Sequence, residues 1–426
     1  LAALSVPWAD GTRALSRPGC QKIINVGQVL RGYTIFKADP LRTQGSDPGF
    51  RNARLFKETS LTSWTTGDDC YLVPKGMDVM RENVCTLANL VREVKTAADY
   101  EKSARAVANV EGSWPPGSFT ASAGYDEFMA TSGSEQKTRL EVYAQCEQFV
   151  LWHVPGGGPD LTDEFREARD YVEEKIMAGK IAVGVRQREE EQETMFTGGS
   201  SSPKQESLLW EEFRNNQMTQ ARFSIGNMFT DLEDNSTSQE NLFTFFDTWG
   251  THYVSAAHLG ARFGSVTYLS GRGAKMLGEA NSSLKTKVVA QLAGSIGCVG
   301  GGLETDRGSK AREDLAKATT VKHQISVGPA PKGVHWSTPK DASPGDHIDA
   351  LNAWANAAKD DPLPVRYTLR SICDFFKDVA TRRQCEDNML HYCDARLKSW
   401  KTSNPHASCG PAAANTAPPA TTKEGC

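Results

Sequence analysis

The side chains that carry most enzymatic chemistry occur in this sequence, but their spacing matches no catalytic or metal-binding pattern. The eight histidines are His153, His252, His258, His323, His335, His347, His391 and His406. His252 and His258 are six residues apart, which fits neither one face of a helix nor a standard metal motif. No Gly-x-Ser-x-Gly elbow, His-Glu-x-x-His motif or phosphate-binding glycine loop occurs. We therefore expect no enzyme activity, no metal and no cofactor.

The cysteines are the second group of reactive side chains. They are Cys20, Cys70, Cys85, Cys146, Cys298, Cys373, Cys385, Cys393, Cys409 and Cys426. No pair has the two-residue spacing of a zinc ribbon or a redox motif, so disulfides formed in an oxidising compartment are the better interpretation. The sequence does not determine their pairing. Asn235-Ser236-Thr237 and Asn281-Ser282-Ser283 have the form of N-glycosylation sites, which agrees with secretion.

One short stretch joins the two most strongly patterned parts of the chain, and it consists of Trp249, Gly250, Thr251, His252 and Tyr253. Before it, Gln239–Trp249 has the apolar content of a helix, and after it Val254–Leu269 is typical of a long strand. The strand contains Gly260 and Gly264, and glycines inside a strand mark a bend or a close backbone approach. The simple interpretation of His252 is a core histidine with satisfied hydrogen bonds. The alternative is a residue that fixes a corner between helix and strand.

The order aromatic-Gly-Thr-His-aromatic, followed after six residues by Gly260-Ala261, resembles the signature of the membrane-attack-complex/perforin (MACPF) family. Ala261 stands where the family has a second glycine. The resemblance implies an α+β fold similar to MACPF proteins and cholesterol-dependent cytolysins, with a bent central antiparallel sheet of four strands flanked by two helical clusters. Gly32-Tyr33, followed by Asp47-Pro48-Gly49-Phe50-Arg51, is most similar to the perforin-like proteins of apicomplexan parasites.

The first segment of interest alternates with a period of two. Phe119, Ala121, Ala123 and Tyr125 fall on one side of a strand, and Ser118, Thr120, Ser122 and Gly124 fall on the other. We predict a strand over 103–112 that leads into this segment, and a second strand through Leu140–Cys146 that leaves it. Alternation alone also fits an ordinary amphipathic sheet packed on a core. However, Ser113–Gly124 resembles the first membrane-inserting cluster of the MACPF family, which implies a hairpin over about 113–148 with the apolar side facing lipid.

The second segment of interest spans 272–327. Its alternating middle places one set of residues on the side predicted to face lipid, namely Val288, Ala290, Leu292, Gly294 and Ile296. Gly300–Gly302 lets the chain reverse, and alternation over Val321–Val327 predicts a fourth long strand. The predicted lipid-facing side chains are mostly small, so one hairpin gains little free energy on insertion. We therefore expect many subunits to assemble before insertion, which also pairs the open sheet edges.

Composition restricts the partners. The chain has 426 residues and a net charge of -4, which argues against nucleic acid as a partner. Its 39% hydrophobic and 23% charged residues are typical of a folded globular protein. No run of 18 or more apolar residues occurs, so we expect no transmembrane helix. The expected partners are a lipid membrane and further copies of the chain in a ring or arc.

We expect four parts: a tail over 1–19, a domain over 20–376 that the resemblance implies is the MACPF domain, a cysteine-containing helical extension over 377–400, and a linker over 401–426. The linker is rich in Pro, Ala and Thr and has too few large apolar residues to fold alone, so we expect a further C-terminal domain after it. Apolar residues predict further helices over Leu161–Ile176 and Ile348–Ala358, and Cys385–Trp400 is expected to be a cysteine-stapled helix. The first ten residues lack the pattern of a signal peptide, so we expect the numbering to begin after one.

The resemblance implies a secreted, pore-forming protein. It would be stored in a secretory organelle if the apicomplexan resemblance holds, and would act on a target-cell or vacuolar membrane. It would oligomerise there and insert two β-hairpins per subunit into a β-barrel pore, permeabilising the membrane. The alternative is a non-lytic relative that acts as an adhesion or assembly module. Leakage of lipid vesicles would separate the two.

Overall fold

The computed structural model describes residues 20–58, 61–66, 69–112, 117–135, 137–154, 158–178, 233–279, 319–329 and 344–410. The strands are β1 (Gln21–Lys22), β2 (Arg31–Tyr33), β3 (Phe50–Arg54), β4 (Leu61–Thr66), β5 (Asp69–Pro74), β6 (Met77–Val94), β7 (Ala108–Val110), β8 (Thr138–His153), β9 (His252–Leu269), β10 (Thr319–Val327) and β11 (Leu363–Ser371). The helices are α1 (Val26–Val29), α2 (Ala97–Val107), α3 (Ala123–Glu135), α4 (163–178), α5 (Glu233–Trp249), α6 (Gly271–Glu279), α7 (Pro344–Asp360) and α8 (Val379–Ser403), with a 3-10 turn over Ile372–Phe375.

Four long strands form the central antiparallel sheet in the order β6, β8, β9, β10. β9 pairs with β8 along one edge. Along its other edge, β9 pairs with β11 through its first half and with β10 through its second half. β11, β7, β2 and β3 extend this arrangement to an eight-stranded sheet. The α+β fold and its four long strands, including β10 predicted from alternation, are confirmed.

The central sheet is covered on both faces. On one face, α7 packs Trp354 and Ala358 against Ala144, Ala261 and Phe263 of β8 and β9. The main hydrophobic core of the described residues lies against the other face. Because both faces are covered, β9 is buried along almost its whole length, including polar residues such as Arg262, Ser265 and Thr267.

The strand predicted over 103–112 is wrong for most of its length. Residues 103–107 belong to α2, and only Ala108–Val110 is a strand. A capping box starts this helix, because the Thr96 side chain accepts from the Asp99 N–H and the Asp99 side chain accepts from the Thr96 N–H. The strand before the first segment is instead β6. Residues 138–148 already lie in β8, so the segment between the two sheet strands is 95–137.

Four disulfides confirm the prediction that the cysteines are oxidised. They join Cys20 to Cys70, Cys85 to Cys146, Cys373 to Cys385, and Cys393 to Cys409. The last two tie α8 to the 3-10 turn before it and to the chain after it, as expected for a cysteine-stapled helix. Cys298 and Cys426 lie outside the described residues.

Candidate functional site

The corner between α5 and β9 depends on a glycine. Gly250 has a φ of 89°, which L-residues with side chains rarely adopt. Its N–H donates to the carbonyl oxygen of Phe246 at 2.9 Å, which ends the helix as glycine caps do. A Cβ at Gly250 would lie 2.6 Å from the backbone nitrogen of Tyr33, and a Cβ at Gly32 would overlap with the Trp249 carbonyl oxygen. Backbone packing therefore requires glycine on both sides of this contact.

Thr251 connects this corner to β2 and to the 3-10 turn. Its N–H donates to the Tyr33 carbonyl oxygen at 2.9 Å, and its own carbonyl oxygen accepts from the Ile372 N–H at 3.0 Å. Its hydroxyl accepts from the Ile35 N–H at 3.2 Å and donates to the Tyr33 carbonyl oxygen at 3.3 Å. Because Thr251 is fully buried, losing any of these partners would leave a costly unsatisfied group.

His252 is a buried neutral histidine. Its Nδ1 lies 2.9 Å from the Thr251 hydroxyl oxygen, and its side chain is 2% exposed. Since that hydroxyl donates its hydrogen to the Tyr33 carbonyl, the fitting tautomer carries the proton on Nδ1 and donates it to Thr251. Burial lowers the pKa of His252 to about 3. The structure places His252 in the core with its Nδ1 hydrogen-bonded, and its role in fixing the corner stays a prediction.

Aromatic rings pack around the same corner. The Tyr253 ring stacks on His153 with centroids 5.7 Å apart and lies 4.6 Å from the Phe375 ring. The Trp249 ring contacts Phe165 of α4 at a centroid distance of 5.2 Å. Burial, together with the charge of Arg370, lowers the pKa of His153 to about 4. Two histidines whose charged forms are disfavoured, the buried His252 and the partly buried His153, therefore lie at one corner.

Gly260 lies where β9 exchanges partners. β11 pairs as far as Gly260, and β10 pairs from Arg262 onward. The register with β8 shifts between Glu147 and Phe149 at this level. A Cβ at Gly260 would overlap with the Cys146 carbonyl oxygen. The close backbone approach predicted from a glycine in a strand is therefore present at Gly260, whereas Gly264 pairs in regular register. Movement about either glycine stays a prediction.

A charged cluster spans four strands near Gly260. His258 Nδ1 of β9 lies 3.0 Å from a Glu82 carboxylate oxygen of β6 and 2.7 Å from a Glu147 oxygen of β8. Arg366 of β11 donates to Glu147 at 3.0 Å. Burial raises the pKa of Glu147, but the hydrogen bond and charge of His258 and the charge of Arg366 outweigh this and leave it below its ordinary value.

Three members of this cluster, Glu82, Glu147 and His258, have ligand atoms close enough together to hold a metal ion. However, the Arg366 guanidinium lies 3.2 Å from the same imidazole and 3.0 Å from the Glu147 carboxylate, so a protein cation already pairs with one of the two carboxylates. Sequence reasoning missed this cluster because its members come from four strands that only the sheet register brings together.

The alternating part of the first segment, residues 118–125, is not a strand in this structure. Residues 117–122 form turns and α3 begins at Ala123. Phe119, Ala121 and Tyr125 are buried, whereas Ala123 is exposed. The polar residues between them, Ser118, Thr120 and Ser122, are buried as well. The period of two therefore does not sort these residues into a buried and an exposed side in this state, and the lipid-facing role stays a prediction.

The buried carboxylate of Asp39 contacts both helices of the first segment. Asp39 Oδ1 accepts from the Tyr100 hydroxyl of α2 at 3.0 Å, and its other oxygen packs against Gly124 of α3. Burial, and secondly the charge of Asp47, raise the pKa of Asp39 to about 6. The Arg139 guanidinium lies 5.9 Å above the Tyr100 ring. Both helices of the segment therefore contact the buried Asp39 carboxylate.

The two segments leave the sheet at the same end. Val94 pairs with Arg139 across β6 and β8, and Thr319 pairs with Leu269 across β10 and β9. Leu269 also pairs with Thr138, so all these strand ends lie side by side. The segments 95–137 and 270–318 each begin and end on neighbouring antiparallel strands.

Of the second segment, predicted over 272–327, the structure describes the beginning as α6 and the end as β10. Its predicted lipid-facing residues lie outside the described residues: Val288, Ala290, Leu292, Gly294 and Ile296. Of the two possible glycosylation sites, Asn235 lies in α5 and Asn281 lies outside the described residues. Among the described helices, none combines the length and the apolar content that crossing a membrane requires.

Comparison with known families agrees with this geometry. The sequence profile of the MAC/Perforin domain matches residues 24–168 and 210–399. The chain belongs to the MACPF family. A search of curated proteins finds no match.

Among solved structures, GNIP1Aa from Chromobacterium piscinae is similar, with a TM-score of 0.53 and 13% identity over 89% of this chain. The chain spans 57% of the length of GNIP1Aa. A MAC/Perforin-domain protein from Bacteroides thetaiotaomicron gives a TM-score of 0.40 at 9% identity, over 90% of this chain and 62% of that one. Astrotactin-2, a vertebrate-specific perforin-like membrane protein, gives 0.36 at 10% identity, over 87% and 46%. At these identities, the likeness to GNIP1Aa shows the fold alone.

Proposed function

We propose that this MACPF protein is a pore former. It assembles as a ring or arc of copies on a target membrane and inserts two β-hairpins per subunit into a β-barrel pore. The observation that carries the proposal is the position of the segments 95–137 and 270–318. Each connects adjacent ends of antiparallel strands, and all four ends lie at one end of the sheet. Each segment can therefore extend its strand pair as a hairpin, and in the first segment the short pairing of β7 with β11 must be released for this.

The lengths support this proposal. Each segment contains more than 40 residues, which gives about 20 for each arm of a hairpin. A strand that crosses a bilayer needs roughly 9–11 residues. Each arm is therefore long enough to span the membrane and to continue the sheet above it. We infer that Phe119, Ala121, Ala123 and Tyr125 face lipid in the first hairpin.

For the second hairpin, we infer that the lipid-facing residues are Val288, Ala290, Leu292, Gly294 and Ile296. The corner Trp249–Tyr253, with Gly260 and Gly264, is proposed to act as the hinge about which the sheet straightens. β6 lies at the edge of the described sheet, where it pairs with β8. Edge strands present free backbone donors and acceptors, which supports lateral assembly between subunits. No catalytic step forms part of this mechanism.

We further propose that the protein is secreted, because its four disulfides need an oxidising compartment. The likeness to perforin-like proteins of apicomplexan parasites rests on Gly32-Tyr33 and on Asp47–Arg51. In the structure Tyr33 and Asp47 are buried and bonded to each other, since the Tyr33 hydroxyl donates to the Asp47 carboxylate at 2.8 Å. On the basis of that likeness, we propose that the protein is stored in a secretory organelle before release and acts on a target-cell or vacuolar membrane afterwards.

The proposal is tested by dye release from lipid vesicles, with Ala123→Asp as the variant. Ala123 is exposed in the soluble form, so a carboxylate there is compatible with folding. In the proposed hairpin the same charge faces lipid, where it costs roughly 2–4 kcal/mol per subunit at the midplane. We expect unchanged thermal stability and membrane binding, with release abolished. Ala123→Ser is the matched control and should retain release.

Two results would count against the proposal. Full release by Ala123→Asp would show that this residue does not face lipid. Membrane binding by the wild-type protein without release, across vesicles of several compositions, would favour a non-lytic adhesion or assembly module.

A further inference from the structure

The chain that follows α8 folds back onto the first segment. Asn404 Nδ2 donates to the Ala121 carbonyl oxygen at 3.1 Å, and the His406 N–H donates to the Asp126 carboxylate at 2.7 Å. The Thr120 hydroxyl donates to the Ser408 carbonyl oxygen. Residues 404–409, which we call the C-terminal latch, therefore contact the segment at three successive places.

Covalent and apolar contacts hold the latch in place. The Cys393–Cys409 disulfide joins its last residue to the middle of α8. Trp400 at the end of α8 packs against the Phe36 ring with centroids 6.1 Å apart. A Cβ at Gly117 would lie 2.6 Å from the Cys409 carbonyl carbon, so the start of the segment lies directly against the latch backbone.

The opposite side of the segment is held by residues 35 and 36. The Phe119 N–H donates to the Ile35 carbonyl oxygen at 2.9 Å, and the Ala121 N–H donates to the Phe36 carbonyl oxygen at 2.9 Å. The segment therefore lies between this backbone and the latch, which explains why residues 117–122 are buried without being a helix or a strand.

Phe119 shows that this position is imposed on the segment. It is fully buried and has a φ of 68°, a left-handed conformation that is uncommon for a bulky residue. Such a conformation persists only where the surroundings enforce it. An extended strand would relieve it, so the resting conformation depends on the contacts around it.

We propose that the C-terminal latch locks the first segment in its resting conformation and must open before the segment can extend. That the latch holds the segment before membrane binding does not depend on pore formation. That the latch must open for insertion rests on the proposed function. The Cys393–Cys409 disulfide limits how far the latch can move away from α8, so the polar contacts re-form readily after they break. The latch therefore couples the position of α8 to the release of residues 117–126.

Two variants open the latch from its own side without changing the segment. Asn404→Ala removes the hydrogen bond to Ala121, and Cys393→Ser with Cys409→Ser removes the covalent closure. Thr402→Ala is the matched control for the first, because Thr402 is exposed and its hydroxyl bonds within α8. Cys20→Ser with Cys70→Ser is the control for the second, since that disulfide lies in a different sheet.

Hydrogen–deuterium exchange of the soluble protein measures the effect. We expect amides in 117–126 to exchange about tenfold faster when the latch opens, since a hydrogen bond and its neighbours are lost. Exchange in β8 and β9 should be unchanged, as should exchange of 117–126 in both controls. In dye release, the opened variants should act at lower protein concentration than the wild type.

The two proposals fail separately. Unchanged exchange of 117–126 in both latch variants would overturn the latch, even if all variants release dye. Faster exchange without release by any protein, wild type included, would support the latch and count against the pore. If the double serine variant does not fold, the comparison of Asn404→Ala with Thr402→Ala decides by itself.

Discussion

Protonation of His252 should destabilise the fold as the pH falls. The pKa of this ring is about 3 in the folded protein, against an ordinary value of 6.5. The folded state therefore binds the proton less tightly than the unfolded state. The neutral ring contributes stability above pH 6.5, and that stability is lost as the pH falls from there towards 3.

The magnitude at pH 5 follows from these two values. Between pH 6.5 and pH 5 the unfolded chain takes up a proton at this site while the folded protein does not. At about 1.4 kcal/mol per pH unit, the loss is about 2 kcal/mol relative to neutral pH. The cause is structural, because the His252 ring is buried and its Nδ1 contacts a hydroxyl rather than a carboxylate.

Urea unfolding at pH 7.5, 6 and 5 measures this effect in the wild type and in His252→Gln. Glutamine can still donate to Thr251 but does not titrate. The variant is expected to be less stable at pH 7.5, because it packs differently, yet its stability should fall by about 2 kcal/mol less between pH 7.5 and pH 5. His153 contributes equally to both proteins, so the difference isolates His252. His406→Gln, at an exposed position, controls for the loss of a histidine as such.

Equal pH dependence of the wild type and His252→Gln would refute this reasoning. It would mean that the ring accepts a proton in the folded state, through a rearranged corner or a partner that the structure does not contain. A steeper loss in the variant would refute it equally.

Three further predictions concern other buried groups. Gly260→Ala should prevent folding or cost more than about 3 kcal/mol in unfolding experiments, because the new methyl group overlaps with a β8 carbonyl, whereas Gly112→Ala has open space and should cost about 1 kcal/mol. Asp39→Asn should raise the unfolding free energy at pH 7.5 by up to about 3 kcal/mol, since a raised pKa means that stability present at low pH is lost as the pH rises through about 6; equal stability of the two proteins at pH 7.5 would contradict this. Ala121→Asp should lower the melting temperature of the soluble protein because Ala121 is 1% exposed, whereas Ala123→Asp should not.

The sequence by itself determined the elements with strong, long periodic patterns. The apolar run before Trp249 predicts α5, and the residues after it predict β9, with the corner between them. Alternation predicts β8 and β10, and apolar residues at helical spacing predict α4 and α7. These assignments hold because the spacing of apolar side chains along one element is a local property of the sequence and does not depend on which element packs against it. The family signature lies at this corner, where the positive φ of Gly250 and its contact with the Tyr33 backbone exclude a side chain.

Only the tertiary structure decided what the first segment does at rest. Its alternation suits a strand, yet residues 117–122 are buried on all sides between residues 35–36 and the latch. The latch contacts join positions almost 290 residues apart in the sequence, and the charged cluster at His258 joins four strands. The pairing of the cysteines likewise depends on which strands and helices become neighbours. Local sequence patterns do not predict such contacts, because strand register and long-range packing are determined only when the whole sheet forms.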